Sequence, residues 1–440
     1  MRFRSENTLL GSDFGSQPSS VVQWRKLQRL LAYAYVHVPF YQRCFRSIGA
    51  EPGDIKTPLD FLAFPILTRE DILEYAEEML AFPKEKLVSR RSGSSTGHPL
   101  TIYMRKRDKS YRHVLWRRVD GWVNANFLWP SLAIGMYLAG NVPPIHRPWH
   151  RIKHPYYRYS FRQWNQELLC KLIQDIQWIK PARIHGYPSI LLALAQYIQE
   201  HSIEMRHPPK VVTSYGETLY ALDCELIGRA FCSPVYDRYA SAENTMIAAE
   251  CRARQGLHVL TDHVYLEILQ GKRPADPGQP GHIILTDLDN LGMPCIRYRN
   301  EDIAAWAKHA CCCGRSLPLL DTVLGRETTL LLSGDGAFSF PSNLMKPLYA
   351  IAKNGHIRQF QLRQATKGHL EILAVRGDNW REEDGLLVRQ VSEEEFAGKM
   401  CVDVRWVSEI PAEPSGKVSF VKSEIPFTSD DRLVWRSRNP

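Results

Sequence analysis

The chain has 440 residues, of which 44% are hydrophobic and 10% aromatic. That supply of apolar side chains excludes wholesale disorder, and the length suits about two or three domains. Lys and Arg exceed Asp and Glu by 56 to 47, a formal charge of +9, which suits anionic ligands such as nucleotides without being a nucleic-acid signal.

No run of about 18 apolar residues occurs, so no membrane span is expected. The opening stretch MRFRSENTLLGSDFGSQPSS carries no continuous apolar signal core. The expected location is the cytoplasm, where the ten cysteines read as thiols or metal ligands and not as a disulfide framework.

In chain order, the first twenty residues read as a loose arm. A helical stripe of Trp24, Leu27, Leu30, Leu31 and Ala34 then predicts a helix over 21–38, stopped by Pro39. A second helix is expected after Thr68, with Glu70 and Asp71 in its first turn. The middle alternates: helix 165–178, strand 182–185, helix 189–200 capped by Ser189, strand 210–213, helix 218–231, strand 235–239. Such alternation implies an α/β layer with a largely parallel sheet, whose ligands gather at the carboxyl ends of the strands. Strands are expected at 258–269 and 282–288, around the turn GKRPADPGQPG, and again at 370–375 and 402–407. No internal repeat or low-complexity tract is seen.

The stretch RSGSSTGHPL over 91–100 fits G-x-S-x-G, the serine elbow of hydrolases. An elbow runs from strand into helix, whereas here Pro99 is followed by Leu100-Thr-Ile-Tyr-Met104, which reads as a strand by its β-branched and aromatic content. Strand–loop–strand is wrong for an elbow at Ser95. It is also wrong for a Walker loop, whose Gly-Lys-Ser/Thr ending is absent. What remains is a hydroxyl-rich glycine turn, either a plain hairpin or a nest for phosphate oxygens.

Further motifs stand along the chain: His185-Gly186-Tyr187-Pro-Ser189, Ser214-Tyr-Gly216-Glu217, Tyr239-Ala-Ser-Ala-Glu243, Thr286-Asp-Leu followed by Arg297-Tyr-Arg-Asn-Glu-Asp302, Gly325-Arg326, and Ser415-Gly-Lys417. In this order, together with the glycine turn, they resemble the adenylate-forming superfamily, in its phenylacetate–coenzyme A ligase-like and capsular-biosynthesis branch, over nearly the whole chain.

The resemblance implies a large multilayer α/β domain with mixed sheets over 1–324 and a small mobile α+β domain over 325–440. It implies ATP-dependent activation of a carboxylic acid, aryl or otherwise hydrophobic, to an acyl-adenylate, then transfer to a thiol, coenzyme A first and a carrier protein next. Ser94, Ser95, Thr96 and Gly97 would wrap phosphate, His185, Gly186 and Tyr187 would line the acyl pocket, and Gly216 and Glu217 would lie beside the adenine. Tyr239 would stack on the base, Glu243 would hold Mg²⁺, Asp302 would take the ribose hydroxyls, and Arg326 would contact the nucleotide at the hinge. Lys417 would bring its ammonium to the reacting phosphate as a point charge. Relatives that adenylate a hydroxyl are an alternative, and a non-catalytic nucleotide-binding assembly protein is the rival from another class. The sequence departs from the pattern at Ala240 (Gly is usual), Ala242 (Thr), Glu301 (Gly) and the hinge pair Thr328 and Thr329 (acids).

Cys251 and His258, with Cys311-Cys-Cys313, form a second constellation. Two cysteines one residue apart, plus a Cys and a His, could supply four ligands to a structural tetrahedral Zn²⁺, with Cys312 able to replace either neighbour. Ordinary buried thiols fit the same spacing, and both readings stay open. The stretch 105–162 interleaves basic and aromatic residues, including His146-Arg-Pro-Trp-His-Arg151. Such a stretch is more often a solvated face than a nucleic-acid surface, so nucleic acid is not an expected partner.

Overall fold

The computed structural model describes residues 19–92, 100–126, 129–135, 156–160, 165–336, 338–339, 344, 348, 351–352, 355–410, 420–425 and 433–434. The glycine turn (Ser94, Ser95, Thr96, Gly97), the segment containing His146 to Arg151, and Lys417 lie outside them.

Helix α1 (Ser19–His37) carries the expected stripe, with Leu27, Leu30, Leu31 and Ala34 buried. Pro39 both ends it and opens α2 (Pro39–Ser47), since a proline without an N–H is tolerated at a first helical position. Short helices α3 (Pro58–Leu62) and α4 (Arg69–Glu74) follow. Thr68 and Asp71 cap α4 reciprocally, Thr68 N–H donating to the Asp71 carboxylate at 2.8 Å and Asp71 N–H to the Thr68 hydroxyl at 3.2 Å. These helices share a core with Met293, Ile296 and Tyr298 from far along the chain.

Strands β1 (Val88–Arg91) and β2 (Thr101–Met104) pair antiparallel on either side of the glycine turn. Ser92 and Leu100 close its base, through Ser92 N–H on the Leu100 carbonyl (2.8 Å) and Leu100 N–H on the Ser92 hydroxyl (2.9 Å). The turn therefore stands between two strands, as read from Leu100 to Met104.

The expected alternation follows: α5 (Lys106–Trp122), β3 (Ser131–Gly135), β4 (Tyr156–Ser160), α6 (Gln166–Ile179), β5 (Arg183–Gly186), α7 (Pro188–Glu200), β6 (Val211–Tyr215), α8 (Ala221–Phe231) and β7 (Val235–Ser241). Strands β8 (Thr245–Glu250), β9 (Leu257–Val259), β10 (Val264–Gln270), β11 (Arg273–Pro274), β12 (Pro280–Asp287), β13 (Tyr298–Trp306) and β14 (Leu319–Arg326) come next. All but β1 and β2 of these join one twelve-stranded sheet, ordered β11-β10-β12-β13-β14-β9-β8-β7-β6-β5-β3-β4. The run β4, β3, β5, β6, β7 is parallel, and the rest of the sheet is antiparallel.

Two expectations need correcting. The strand foreseen over 258–269 is two strands, β9 and β10, because the chain turns at 260–263, where His263 N–H bonds the Leu260 carbonyl. Ser189 is not the cap of its helix: α7 starts at Pro188, and the Ser189 N–H is satisfied by the Glu217 carboxylate at 3.0 Å.

Beyond β14, β15 (Leu331–Leu332) and β16 (Phe338–Ser339) pair with β21 (Leu433–Val434). A four-stranded sheet is built from β17 (Ile357–Thr366), β18 (His369–Arg376), β19 (Cys401–Val407) and β20 (Val421–Ser423), in the order β19-β18-β17-β20, with helix α9 (Asp384–Glu395) contacting β19. The strands foreseen at 370–375 and 402–407 lie within β18 and β19. No helix among the described residues is long and apolar enough to cross a membrane.

Candidate active site

The parallel strands β3, β5, β6 and β7 end at Gly135, Gly186, Tyr215 and Ser241, so the motif residues Tyr187, Gly216, Glu217 and Glu243 sit at or just past the carboxyl ends of neighbouring strands. This is where open α/β sheets bind ligands, because the diverging loops leave a crevice there.

On the acyl-motif side, the Tyr187 ring lies against Gly216, whose φ of 81° is in the left-handed region and where an added Cβ would stand 2.7 Å from the ring. Only glycine fits both the backbone and the ring at this position. Tyr215 meets Tyr187 edge-on at 5.2 Å and Trp116 edge-on at 5.6 Å, making an aromatic wall. His185 is buried below it, with Nδ1 3.4 Å from the Thr213 hydroxyl. Burial, aided by the charges of Arg183 and Arg238, holds the His185 ring far below the ordinary histidine pKa and so neutral. Those two arginines share one buried carboxylate, Asp120: Arg238 Nη2 reaches it at 2.6 Å, and Arg183 grips the other oxygen.

On the nucleotide-motif side, β13 and β14 bring Asp302 and Arg326 into register as direct cross-strand partners, Arg326 Nε lying 3.8 Å from the carboxylate. The Tyr239 hydroxyl donates to Asp302 Oδ2 at 2.6 Å, and Asn300 Nδ2 donates to the same oxygen at 2.9 Å. Burial pushes the Asp302 carboxyl above its usual range, while Arg326 and the Tyr239 bond oppose the shift. Glu301, where glycine is usual in the resembled motif, adopts φ 65°. The backbone thus keeps a glycine-type conformation, at a cost of roughly 1–2 kcal/mol.

Glu243 is 9% exposed, and among the described residues no donor or cation bonds its carboxylate. Its backbone, in contrast, is held. Arg112 Nη2 donates to the Glu243 carbonyl and to Asp287 Oδ2, both at 2.9 Å. A mostly buried carboxylate with no bonded donor among the described residues offers hard oxygens of the kind that Mg²⁺ prefers.

Cys251, His258, Cys311 and Cys313 come together, each offering a ligand atom within 4.8 Å of the others. Cys251 Sγ is 3.6 Å from Cys311 Sγ, and Cys313 Sγ is 3.3 Å from His258 Nε2. Ligand atoms on one tetrahedral zinc stand about 3.5–3.8 Å apart at ordinary Zn–S and Zn–N lengths, so the set fits that ion. Cys312 is exposed and its N–H bonds Gln255, so it is not the residue that completes the set. Burial pushes the Cys311 thiol up to about 12 and raises Cys251 as well.

Among curated proteins, the phenylacetate-coenzyme A ligase of Aromatoleum evansii is 26% identical over 369 residues, covering 81% of this chain and 80% of that protein. The chain resembles the phenylacetate-coenzyme A ligases. Protein CapK of Staphylococcus aureus is 21% identical over 425 residues, 92% of this chain and 89% of that one. Among solved structures, a 2-hydroxyisobutyryl-CoA ligase in its postadenylation state with R3-HIB-AMP matches with a TM-score of 0.76 at 19% identity, covering 92% of this chain and 89% of that one. No family model matches the chain. The resemblance read from the motifs is borne out over most of the chain, and so is the mixed α/β ligase fold.

Sequence reasoning missed Arg112, His263 and Asn300. Arg112 belongs to a basic helix that reads as a solvated face, and its carboxylate partner is 175 residues away. His263 follows Thr-Asp in what reads as a continuous strand. Asn300 had a signal, since it stands two residues before Asp302 in the quoted motif.

Proposed function

We propose that the protein is an AMP-forming acid–thiol ligase that converts a carboxylic acid and ATP to an acyl-adenylate and pyrophosphate, then passes the acyl group to coenzyme A. The observation that carries the nucleotide half is the Tyr239–Asp302–Arg326 cluster. The Tyr239 hydroxyl is committed to Asp302 Oδ2 and Asp302 Oδ1 faces Arg326 at 3.8 Å, so an aromatic ring, a carboxylate and a guanidinium stand together. These are the groups that would stack on a base, accept from ribose hydroxyls and meet phosphate. In the first step an oxygen of the substrate carboxylate bonds to the α-phosphorus as the bond to the bridging oxygen breaks. Both partners are anionic, so the step depends on positive charge and oriented donors.

Glu243 would hold Mg²⁺, which when bound offsets phosphate charge. Ser94, Ser95, Thr96 and Gly97 would cradle phosphate, Gly216 and Glu217 would border the adenine, and Lys417 would approach the reacting centre from a small domain over 325–440 that moves relative to 1–324. The aromatic wall beside His185, Gly186 and Tyr187 suits an aryl or other hydrophobic acid. Cys251, His258, Cys311 and Cys313 would hold a structural Zn²⁺ that ties the start of β9 to the loop before β14. Ten cysteines, all free, suit the cytoplasm.

The test is acid-dependent pyrophosphate release across a panel of carboxylic acids, with coenzyme A and a carrier-protein thiol as separate acceptors. Release that requires one acid, and falls about 10²–10³-fold in Lys417→Ala, supports the ligase. ATP binding with no release for any acid would favour a nucleotide-binding assembly protein, and release with a hydroxyl cosubstrate an adenylyltransferase.

A further inference from the structure

The turn that carries Glu243 is held from outside at three consecutive residues. The Glu243 carbonyl accepts from Arg112 at 2.9 Å. The Asn244 carbonyl accepts from His263 Nε2 at 2.6 Å. The Thr245 hydroxyl accepts from Arg90 Nη1 at 3.3 Å. Three cationic side chains, from β1, α5 and the β9–β10 turn, thus converge on one stretch of backbone.

The first two are themselves anchored in one loop. Arg112 pairs with Asp287. His263 Nδ1 lies 2.8 Å from Asp289 Oδ2, whose other oxygen receives Lys26 Nζ at 2.7 Å. Asp287 Oδ1 accepts the backbone N–H groups of Asp289 and Asn290 at 2.9 and 3.1 Å, locking the loop. One His263 nitrogen faces a carbonyl and the other a carboxylate, so both must donate and the fully buried ring is an imidazolium. Burial opposes that charge, but the carboxylates of Asp287 and Asp289 outweigh it and raise the His263 pKa.

The turn needs such holding. Thr245 has φ 68°, an outlier for a β-branched residue, and strained conformations persist only where the surroundings over-determine them. Among the described residues, what the cradle leaves unheld is the Glu243 carboxylate itself.

We propose that Arg112 and His263, with Arg90, are positioning residues that fix the Glu243 carboxylate for a divalent cation bound with ATP. The proposal rests on the assignment of Glu243 to the metal. The experiment measures Mn²⁺ binding to the full-length protein by electron paramagnetic resonance, with ATP present and no acid. His263→Phe, which removes both donors, is expected to weaken Mn²⁺ about tenfold while metal-free ATP affinity stays within about twofold. His263→Gln, which keeps a neutral donor, falls between. Thr245→Gly relieves the backbone strain yet removes the Arg90 contact. It should leave the melting temperature equal or higher and weaken Mn²⁺ about threefold, which a merely structural role would not do, and it serves if His263→Phe does not fold. Wild-type Mn²⁺ affinity in the folded His263 and Thr245 variants, with Glu243→Gln impaired, overturns the cradle. Wild-type affinity in Glu243→Gln overturns the metal assignment, and the cradle with it.

Discussion

Two clusters of metal-type side chains lie among the described residues, and they differ in what already satisfies them. Cys251, His258, Cys311 and Cys313 are thiols and an imidazole; His263, Asp287 and Asp289 are carboxylates and an imidazole. By donor count both are candidates. In the second, Asp287 is engaged by Arg112 and Asp289 by Lys26 and His263, so the negative charge that would attract a cation is spent on internal ones. In the first, the thiols touch one another and His258, and burial raises Cys251 and Cys311. A buried set of thiols gains from a metal that draws off their protons; a buried set of ion pairs does not. Charge accounting, more than the number of ligands, separates a metal centre from a structural network.

The largest effect that could break this contrast is at the thiol cluster. Cys251→Ser or Cys311→Ser should reduce zinc, measured by atomic emission on the purified protein, from about one ion per chain to near none. The expected destabilisation is about 4 kcal/mol or more, given the scale of structural zinc binding. A zinc-free wild type with all thiols freely titratable would remove the contrast. At the second cluster, Asp289→Ala should leave the metal content unchanged yet cost about 3 kcal/mol in denaturant unfolding, because it strands the buried His263, with half-exposed Lys26 losing the same partner.

The thiol pKa values sharpen the difference. With Cys311 up at about 12 and Cys251 raised, both are protonated at neutral pH, so zinc uptake releases at least those two protons. To them is added whatever proton remains on Cys313, whose burial is outweighed by hydrogen bonds from Arg315 and the neighbouring thiols that hold its thiol lower. Apparent zinc affinity should then rise at least about 100-fold per pH unit below the thiol pKa values. Competition against a chelator at several pH values measures it, and a flat profile would contradict the burial argument. Glu301→Gly should stabilise by about 1 kcal/mol, because glycine accepts the left-handed backbone that Glu301 holds. Smallest of all, Cys312→Ser should change zinc content not at all and stability by less than about 0.5 kcal/mol, its side chain being exposed.

What was legible in the sequence was periodic or local. The stripe of α1, the helix start after Thr68, the β–α alternation from α6 to β7 and the strands flanking the glycine turn all follow from spacing over a few residues. Motif order also named Tyr239, Asp302 and Arg326 together, and the structure brings their side chains side by side. The break between β9 and β10 was not legible, because Leu260-Thr-Asp-His263 has strand-like content and turns only under tertiary hydrogen bonds.

The sequence by itself determined the fold class, the run of motifs and the candidate nucleotide and acyl residues, since backbone propensity, hydrophobic period and motif chemistry are written in neighbouring residues. Only the tertiary structure decided which charges are spent and which are free. It set Arg112 on Asp287, His263 between Asn244 and Asp289, and four metal-type ligands within 4.8 Å. The physical reason is that an ionisable group's role depends on what surrounds it in space at low dielectric, and those surroundings come from segments tens to hundreds of residues apart.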